Sequence, residues 1–286
     1  MRKVGIYYAY WNDTWDSDCI PFISHVKKLG YDQMIINGHA IVNLSYEERK
    51  QLSLEAKKQG LTLSYEVGLT EDLDVSSPDE RIRKKGIWYM EDLIKAIASM
   101  GGKTLGGLIY SSSYKKLPLH EKRVDYEKRA LESMKEMVCV AQEYDVTLLC
   151  ECVNRYEHFL LNTCQQGCAF VDAVNSPYCK LLLDTFHMNI EESSLSSAIR
   201  QADTRLGQLS VAENNRMPVG YGSMDWKEIK SALDDIKYRG SLVHVPFVRH
   251  GGKVAYDSSI WRDLVPEQDM DEVAQISCQF IKDYLV

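Results

Sequence analysis

The stretch VTLLCECV at residues 146–153, followed by a helical segment at 162–174 and then by CKLLLD at 179–184, decides the fold. The two apolar runs are short and have the composition of buried strands, whereas the segment between them has helical periodicity. A strand, a helix and a second strand in this order form a unit whose two strands are parallel. We therefore expect a parallel sheet in this part of the chain.

The same alternation extends over the rest of the sequence, with no break in composition. The predicted strands lie at 4–8, 33–36, 61–67, 104–110, 146–153, 179–184, 206–210 and 241–248. The predicted helices lie near 18–29, 45–59, 77–100, 125–144, 162–174, 194–202, 225–236 and 269–285. Eight strand–helix units predict an α/β fold, a closed (β/α)8 TIM barrel, with one domain over residues 1–286.

An open, doubly wound sheet is the alternative architecture. Such sheets usually carry a glycine-rich phosphate-binding turn after their first strand. In this chain the corresponding turn is Tyr8-Ala9-Tyr10-Trp11. Dinucleotide binding is therefore disfavoured, and the barrel is the preferred prediction.

Composition narrows the classes of partner. The chain has 34 Lys and Arg against 41 Asp and Glu, a net charge of −7, and no run of basic residues. This argues against nucleic-acid and anionic-membrane partners, which need a basic surface, and no apolar stretch is long enough for a transmembrane span. The eight cysteines are spread through apolar segments, as in reduced cytosolic proteins. Cys164 and Cys168 lack a second metal-binding pair, so a zinc site is disfavoured and a cytoplasmic location is predicted.

In a TIM barrel the chemistry takes place at the carboxyl ends of the strands. Glu151 and Asp184 stand late in two neighbouring apolar strands, where a carboxylate is costly to bury unless it is paired or bound to a metal. Each alone could be a carboxylate satisfied by hydrogen bonds, but the pair suggests a divalent cation with oxygen ligands. At the end of the first strand, Tyr7 and Tyr8, with Trp11 and Trp15 in the loop, offer an aromatic lining for a sugar ring. These residues define the expected site.

Several motifs resemble those of the ketose 3-epimerases, the D-tagatose and D-psicose (allulose) 3-epimerases of the xylose-isomerase-like barrel superfamily. The resemblance runs in one register from residue 4 to the end of the chain. It rests on GIYYAYW at 5–11, ECVNRYE at 151–157, LDTFHMNIEE at 183–192, ENNR at 213–216, PFV at 246–248 and WRD at 261–263. The block DTFHMN is the most specific of these motifs.

The resemblance implies a chemistry. In that family a divalent metal, usually Mn²⁺ (alternatively Co²⁺ or Mg²⁺), is held by Glu, Asp, His and Glu from strands five to eight, and two glutamates exchange a proton on opposite faces of C3. Glu151 matches the first catalytic glutamate and metal ligand, and Asp184 the second ligand. The residues that match substrate contacts are Tyr7, Glu157, His187 and Arg216. The implied partner is a ketohexose-like sugar, and the implied assembly is a homodimer or homotetramer.

The other half of the expected site departs from the family pattern. Ser210 stands where the family has its metal-binding histidine, and Val245 stands where it has its second catalytic glutamate. The usual glutamate of strand two falls on Ile35, and a tryptophan after strand four falls within Ser111-Ser112-Ser113. Two ligands fewer predict weak metal binding, and one base fewer leaves Glu151 alone for the proton transfer.

Other residues could compensate for these losses. Glu66, late in strand three, is an additional carboxylate at the same mouth. The alternative interpretation of Glu66 is a solvated charge at the edge of a loop. Glu213 could swing in from the loop after strand seven, and His39 follows strand two. His244 should point toward the helices rather than into the lumen, because neighbouring strand residues face opposite sides.

Two functional hypotheses follow from these patterns. In the first, the protein is a sugar isomerase or epimerase with a weakened or altered site. In the second, it is a non-catalytic homologue that binds a sugar or a partner. Tyr7, Glu157, His187 and Arg216 fit both hypotheses, the Glu151–Asp184 pair favours the enzyme, and Ser210 and Val245 favour the binding protein.

Overall fold

The structure, a computed structural model, describes residues 2–286 and contains a closed ring of eight parallel strands. The pairing of the eighth strand with the first closes the ring, which confirms the predicted TIM barrel. The strands are Val4–Tyr7 (β1), Gln33–Asn37 (β2), Thr62–Glu66 (β3), Thr104–Gly107 (β4), Thr147–Glu151 (β5), Cys179–Asp184 (β6), Leu206–Val211 (β7) and Ser241–His244 (β8).

Helices cover the outside of this ring and connect its strands. They are Ile20–Lys28 (α1), Gly38–Val42 (α2), Tyr46–Gln59 (α3), Glu80–Ser99 (α4), Arg123–Glu143 (α5), Cys164–Val174 (α6), Thr185–Glu191 (α7), Leu195–Ala202 (α8), Trp226–Asp235 (α9), Gly252–Asp257 (α10) and Met270–Leu285 (α11). The sequence analysis missed α2, α7 and α10, which have five to seven residues each. Helices this short do not repeat the apolar spacing often enough to give a periodic pattern.

Local signals in the sequence fix several helix ends. The Ser45 hydroxyl accepts a hydrogen bond from the Glu48 N–H at 3.3 Å, and the Glu48 carboxylate accepts one from the Ser45 N–H at 2.7 Å. This reciprocal pair is the predicted capping box. The same helix ends at Gly60, whose φ of 63° lies in the left-handed region that favours glycine.

β4 and β8 end three and four residues earlier than predicted, and both differences affect the mouth of the barrel. β4 ends at Gly107 rather than at residue 110, because Gly107 has a φ of 106° and turns the chain out of the sheet. β8 ends at His244 rather than at residue 248. Val245 therefore follows the strand, although its N–H still donates to the carbonyl of Val211 at 3.1 Å.

The apolar side chains form two clusters. The larger lies between the strands and the helices and holds the barrel together. The smaller lies inside the mouth and consists of buried residues from the ends of the first, second, seventh and eighth strands and the following loops, namely Tyr7, Ala9, Ile35, Ala212, Val243, Val245 and Val254. One side of the mouth is therefore apolar.

Two further properties concern the whole described chain. All eight cysteines are free thiols, and seven of them are buried. Among residues 2–286, we find no helix with the length and apolar character needed to cross a lipid bilayer.

Candidate active site

The carboxyl ends of the strands open into a cavity of about 480 Å³. Nine of the site residues predicted from the sequence line it, including the two positions that depart from the family pattern: Tyr7, Glu66, Glu151, Glu157, Asp184, His187, Ser210, Arg216 and Val245. Glu151 and Asp184 both face the cavity, as expected from the alternation of side chains along β5 and β6.

Asp184 and Arg216 form a buried ion pair at the centre of the cavity wall. Asp184 ends β6 and caps α7, because its Oδ1 accepts the N–H of Phe186 at 2.7 Å. Its Oδ2 accepts a hydrogen bond from the Arg216 guanidinium at 3.0 Å. Burial raises the pKa of Asp184, and Arg216 opposes that shift. The guanidinium also lies over the ring of Phe186, 4.0 Å from its centre, which holds it in place.

His187 is neutral, and both of its ring nitrogens face hydrogen-bond donors. The backbone N–H of Asn154 donates to Nδ1 at 3.2 Å, and the side-chain amide of Asn154 lies 2.8 Å from the same atom. A guanidinium N–H of Arg216 points at Nε2 from 3.2 Å. Burial, with Arg216, holds the pKa of His187 well below its usual range.

The guanidinium of Arg216 therefore contacts both Asp184 and His187 at the cavity wall. A guanidinium that lines a cavity suits an oxygen atom of a ligand, because it carries several N–H donors. Glu157 lies on the same side, with one of its oxygens 4.0 Å from Arg216 and 3.2 Å from the donating side-chain nitrogen of Asn154. The group is arranged to bind a polar, oxygen-rich ligand.

Glu151 ends β5 and lies deep in the cavity. Burial, together with the nearby carboxylates of Glu66 and Asp184, raises the pKa of Glu151 well above its usual range. The nearest imidazole nitrogen, Nε2 of His187, is 3.9 Å away. A carboxyl group with a raised pKa can both accept and return a proton near neutral pH, as general acid–base catalysis requires.

An aromatic wall faces these polar groups. The ring centres of Tyr7 and Trp15 are 5.8 Å apart, and that of Phe247 lies 5.9 Å from Trp15. Tyr8 and Trp11, which were also predicted to line the site, do not. Tyr8 is buried in the main core, and Trp11 donates its indole N–H to Asp271 at 2.8 Å. The prediction was wrong for these two because the chain turns into a short 3₁₀ helix directly after β1.

The compensating residues proposed from the sequence have different outcomes. Glu213 cannot swing in, because its carboxylate accepts hydrogen bonds from Gly220, Met224 and Trp226. His244 faces the helices as predicted, where it contacts the Tyr31 hydroxyl at 2.8 Å. His39 lines the cavity but is engaged by Tyr89 and by the carbonyl of Gly68.

Glu66 is the exception. It is not a solvated charge at the edge of a loop, since its Oε1 accepts a hydrogen bond from Gln208 at 2.6 Å inside the barrel. Burial raises the pKa of Glu66 to about 7, and the bond from Gln208 opposes the shift. The same amide nitrogen of Gln208 lies 3.3 Å from the hydroxyl of Ser210.

The sequence analysis missed Gln208 and Tyr114. Gln208 is buried in the lumen two residues before Ser210, and a polar side chain in an inward-facing strand position was the available signal. Tyr114 lines the cavity one residue after the segment in which the tryptophan was sought. The mouth therefore keeps an aromatic residue after β4.

The site fits a divalent cation in part. Glu151, Asp184 and His187 each offer one ligand atom, and these atoms lie within 4.8 Å of one another. Carboxylate oxygens and an imidazole suit several divalent metals. Ser210 and Val245 add no strong ligand, and both Asp184 and His187 are in contact with Arg216. The group could hold a metal ion, with fewer ligands than the resemblance implied.

The comparisons with known proteins agree with this geometry. A family model described as xylose isomerase-like TIM barrel matches residues 23–278. The chain belongs to this family. Its relatives there include the D-psicose 3-epimerase of Enterocloster bolteae, 37% identical over 98% of this chain and 95% of that protein. A second is the D-psicose 3-epimerase of Ruminiclostridium cellulolyticum, 39% identical over 97% of this chain and 96% of that protein.

A solved structure extends the likeness to three dimensions. The crystal structure of a D-psicose 3-epimerase in the presence of D-fructose superposes with a TM-score of 0.96 at 35% identity, over 99% of each chain. The recognition of the ketose 3-epimerase group from the sequence is thereby confirmed. This member of the xylose isomerase-like family is an enzyme of the isomerase and epimerase class, and the non-catalytic alternative is not favoured.

Proposed function

We propose that this enzyme epimerises a ketohexose-like sugar at C3, more slowly than its relatives do. The observation that carries the proposal is the position of Glu151, a half-buried carboxyl with a raised pKa, in the same cavity as the guanidinium of Arg216. A proton acceptor near hydrogen-bond donors suits the removal of a proton from a carbon that neighbours a carbonyl.

Binding would use both sides of the cavity. The aromatic wall of Tyr7, Trp15 and Phe247 offers a surface for the carbon skeleton of the sugar. Glu157 and the guanidinium of Arg216 offer hydrogen-bond partners for its hydroxyl and carbonyl oxygens. The substrate class agrees with the names of the relatives, which are epimerases of ketoses.

In the chemical step, Glu151 takes the C3 proton, and the electrons left behind form an enediolate across C2 and C3. The guanidinium N–H groups of Arg216 stabilise the negative charge that develops on its oxygens, and because the guanidinium is buried, this stabilisation is stronger than it would be in water. A second group delivers a proton to the opposite face of C3, which gives the epimer, and Glu151 then releases its own proton to water.

We propose Mn²⁺ as the metal, with Co²⁺ or Mg²⁺ as alternatives. Glu151 and Asp184 would hold it, with a ring nitrogen of His187 as a third ligand. When bound, a divalent ion supplies polarisation of the sugar oxygens that flank the reacting carbon. Its affinity should be low, because the serine and valine at positions 210 and 245 replace two ligands.

The remaining assignments concern the cell. We propose a cytoplasmic enzyme without nucleic-acid or membrane partners, which fits its free cysteines and its net charge of −7. We propose a homodimer or homotetramer by resemblance to the epimerases.

The test is the conversion of D-fructose and D-tagatose, followed by chromatography of the sugars with and without added manganese. We expect the C3 epimers to form at a rate about 10²–10⁴-fold below that of a relative, the range for the loss of one acid–base group. A rate equal to that of the relatives would show that Val245 does not mark a lost function. Absence of any epimer with both sugars would contradict the proposed reaction.

A further inference from the structure

A second carboxyl group reaches the floor of the cavity from a strand on which the sequence resemblance places no catalytic group. Glu66 is the last residue of β3, and its hydrogen-bond partner Gln208 lies on β7. In a ring of eight strands, β3 and β7 are opposite each other. A bond of 2.6 Å between their side chains therefore crosses the lumen and holds the Glu66 carboxyl near the barrel axis.

The surroundings of Glu66 do not explain it as a structural residue. Within the described chain, no Lys, Arg or His side chain forms an ion pair with it at 4.0 Å or less, and Gln208 is its one side-chain hydrogen-bond partner. Glu66 is half-buried in the lumen, where a carboxyl with a single amide partner is costly, and a neutral side chain would satisfy Gln208 as well. The second carboxyl oxygen accepts no hydrogen bond and is open to the cavity.

Small residues line this part of the lumen. A Cβ at position 106 would lie 2.9 Å from a methyl carbon of Leu182, so Gly106 has no room for a side chain, and 3.5 Å from the Cγ of Glu66, an ordinary van der Waals distance. The small side chain of Ser210 lies beside Gln208 and leaves the floor open.

Glu66 and Glu151 are neighbours that approach the cavity from different directions. Glu151 stands on the wall at the end of β5, and Glu66 stands on the floor. Both residues line the same cavity, and the charge of Glu66 adds to burial in raising the pKa of Glu151. A sugar carbon held between wall and floor presents a different face to each.

We propose that Glu66, oriented by Gln208, is the second proton carrier of this enzyme and serves the face of C3 for which the position of Val245 offers no group. The inference rests on the proposed epimerase function. Glu151 as carboxylate removes the C3 proton, and Glu66 as carboxylic acid donates a proton to the other face of the enediolate. The turnover leaves Glu151 protonated and Glu66 ionised, and exchange with water restores both.

The experiment follows deuterium incorporation at C3 for each epimer separately, by NMR in D₂O. E66Q keeps the hydrogen bond from Gln208, so the fold is preserved. We expect E66Q to lose conversion at least about 100-fold and to lose exchange in one epimer only. E151Q should lose exchange in the other epimer only. E132Q, which removes an exposed carboxylate on α5, is the matched control and should behave as wild type.

Gln208 is a positioning residue in this scheme. Q208M keeps the length of the side chain but removes the donor, and we expect it to reduce conversion about 10-fold. Its exchange defect should fall on the same epimer as that of E66Q. A purely structural role would instead reduce exchange in both epimers together.

Three outcomes decide the matter. Reciprocal loss in E66Q and E151Q supports Glu66 as the second carrier. Wild-type conversion by E66Q overturns this role. Equal loss of exchange in both epimers, together with reduced bound manganese, overturns it as well, because Glu66 would then be a metal ligand. If the wild-type enzyme exchanges the C3 proton of neither epimer, the proposed epimerase function itself fails. The E66Q results cannot give this outcome, because they concern only the variant.

Discussion

The half of the mouth formed by β5 and β6 and the half formed by β7 and β8 carry opposite chemistry on one continuous ring of strands. The first presents Glu151 and Asp184 to the cavity, and the second presents Ser210 and Val245. Both halves keep the same outward packing against helices, because the main core uses the alternate residues of each strand. Inward-facing residues at strand ends can therefore differ in chemistry while the packing of the barrel against its helices stays the same.

The polar half is held by polar contacts, one of which comes from Arg216 in the loop after β7. Asp184 is fixed by α7 and by Arg216, and His187 is fixed by Asn154. On the other half, Val245 packs in the apolar cluster that includes Tyr7 and is 5% exposed. The comparison therefore predicts that chemistry fails when the polar half is changed, and that the apolar half is open to substitution.

The largest effect is expected on the polar half. E151Q keeps the volume of the side chain and removes the proton acceptor, so epimer formation should fall by about 10²–10⁴-fold. Steady-state kinetics on D-fructose measure the loss, with E132Q as the control for removal of a glutamate charge. A loss of less than tenfold would place the main base elsewhere and remove the contrast between the two halves.

The second effect concerns stability. R216M leaves the buried carboxylate of Asp184 without its cation, which should lower the free energy of unfolding by about 3–5 kcal/mol. Urea denaturation measures the change. The double variant D184N/R216M should recover much of it, because no uncompensated charge remains. Equal destabilisation in the single and double variants would mean that Arg216 stabilises through packing on Phe186 rather than through charge.

The third effect tests whether the apolar half can be converted. S210H/V245E restores the two ligand types that the resemblance assigns to these positions, and we expect tighter manganese binding and about 10- to 100-fold faster epimerisation. S210H alone should raise manganese affinity with little gain in rate. Isothermal titration calorimetry and kinetics separate the two. Tight manganese binding without any proton exchange at C3 would show that the cavity is built for a different ligand, with Glu66 the first residue to test.

The smallest effect lies outside the cavity and serves as a check on β8. Burial lowers the pKa of His244 from 6.5 to about 3. The unfolded chain therefore binds this proton below pH 6.5 while the folded chain does not, so stability falls as the pH drops from about 6.5 to 3. At about 1.4 kcal/mol per pH unit, the loss by pH 4 is on the order of 3 kcal/mol.

H244Q should flatten this dependence only in part. Burial also lowers the pKa of His158 to about 4, which acts in the same direction. Thermal melts between pH 4 and pH 7 measure the slope for both proteins. An unchanged slope in H244Q would show that His244 is protonated in the folded state.

The sequence predicted the barrel because each strand–helix unit carries its own signal, namely an apolar run, a cap and a periodic segment. It predicted that Glu151 and Asp184 belong to the site because both are carboxylates late in apolar strands, where burial is costly. It missed α7, which begins at Thr185 because Asp184 caps it, and it placed Val245 inside a strand that ends one residue earlier.

The contacts that the sequence could not supply are those between distant strands. The bond between Glu66 and Gln208 joins residues 142 positions apart, and it exists only because the ring closes and brings β3 opposite β7. The contacts of Glu213 could not be predicted for a similar reason. Its three donors are the N–H groups of Gly220 and Met224 and the indole of Trp226, and no local sequence pattern specifies the path of the loop that leads to α9.

The central claim is that the polar half of the mouth still moves the C3 proton of a ketose. The most direct measurement is ¹H NMR of D-fructose and D-psicose in D₂O with the wild-type enzyme, after removal of metal and again after addition of Mn²⁺. We expect deuterium to be incorporated at C3, faster with manganese than without it. We expect E151Q to abolish this incorporation in one of the two sugars. No loss of the C3 proton signal from either sugar under either condition would contradict it.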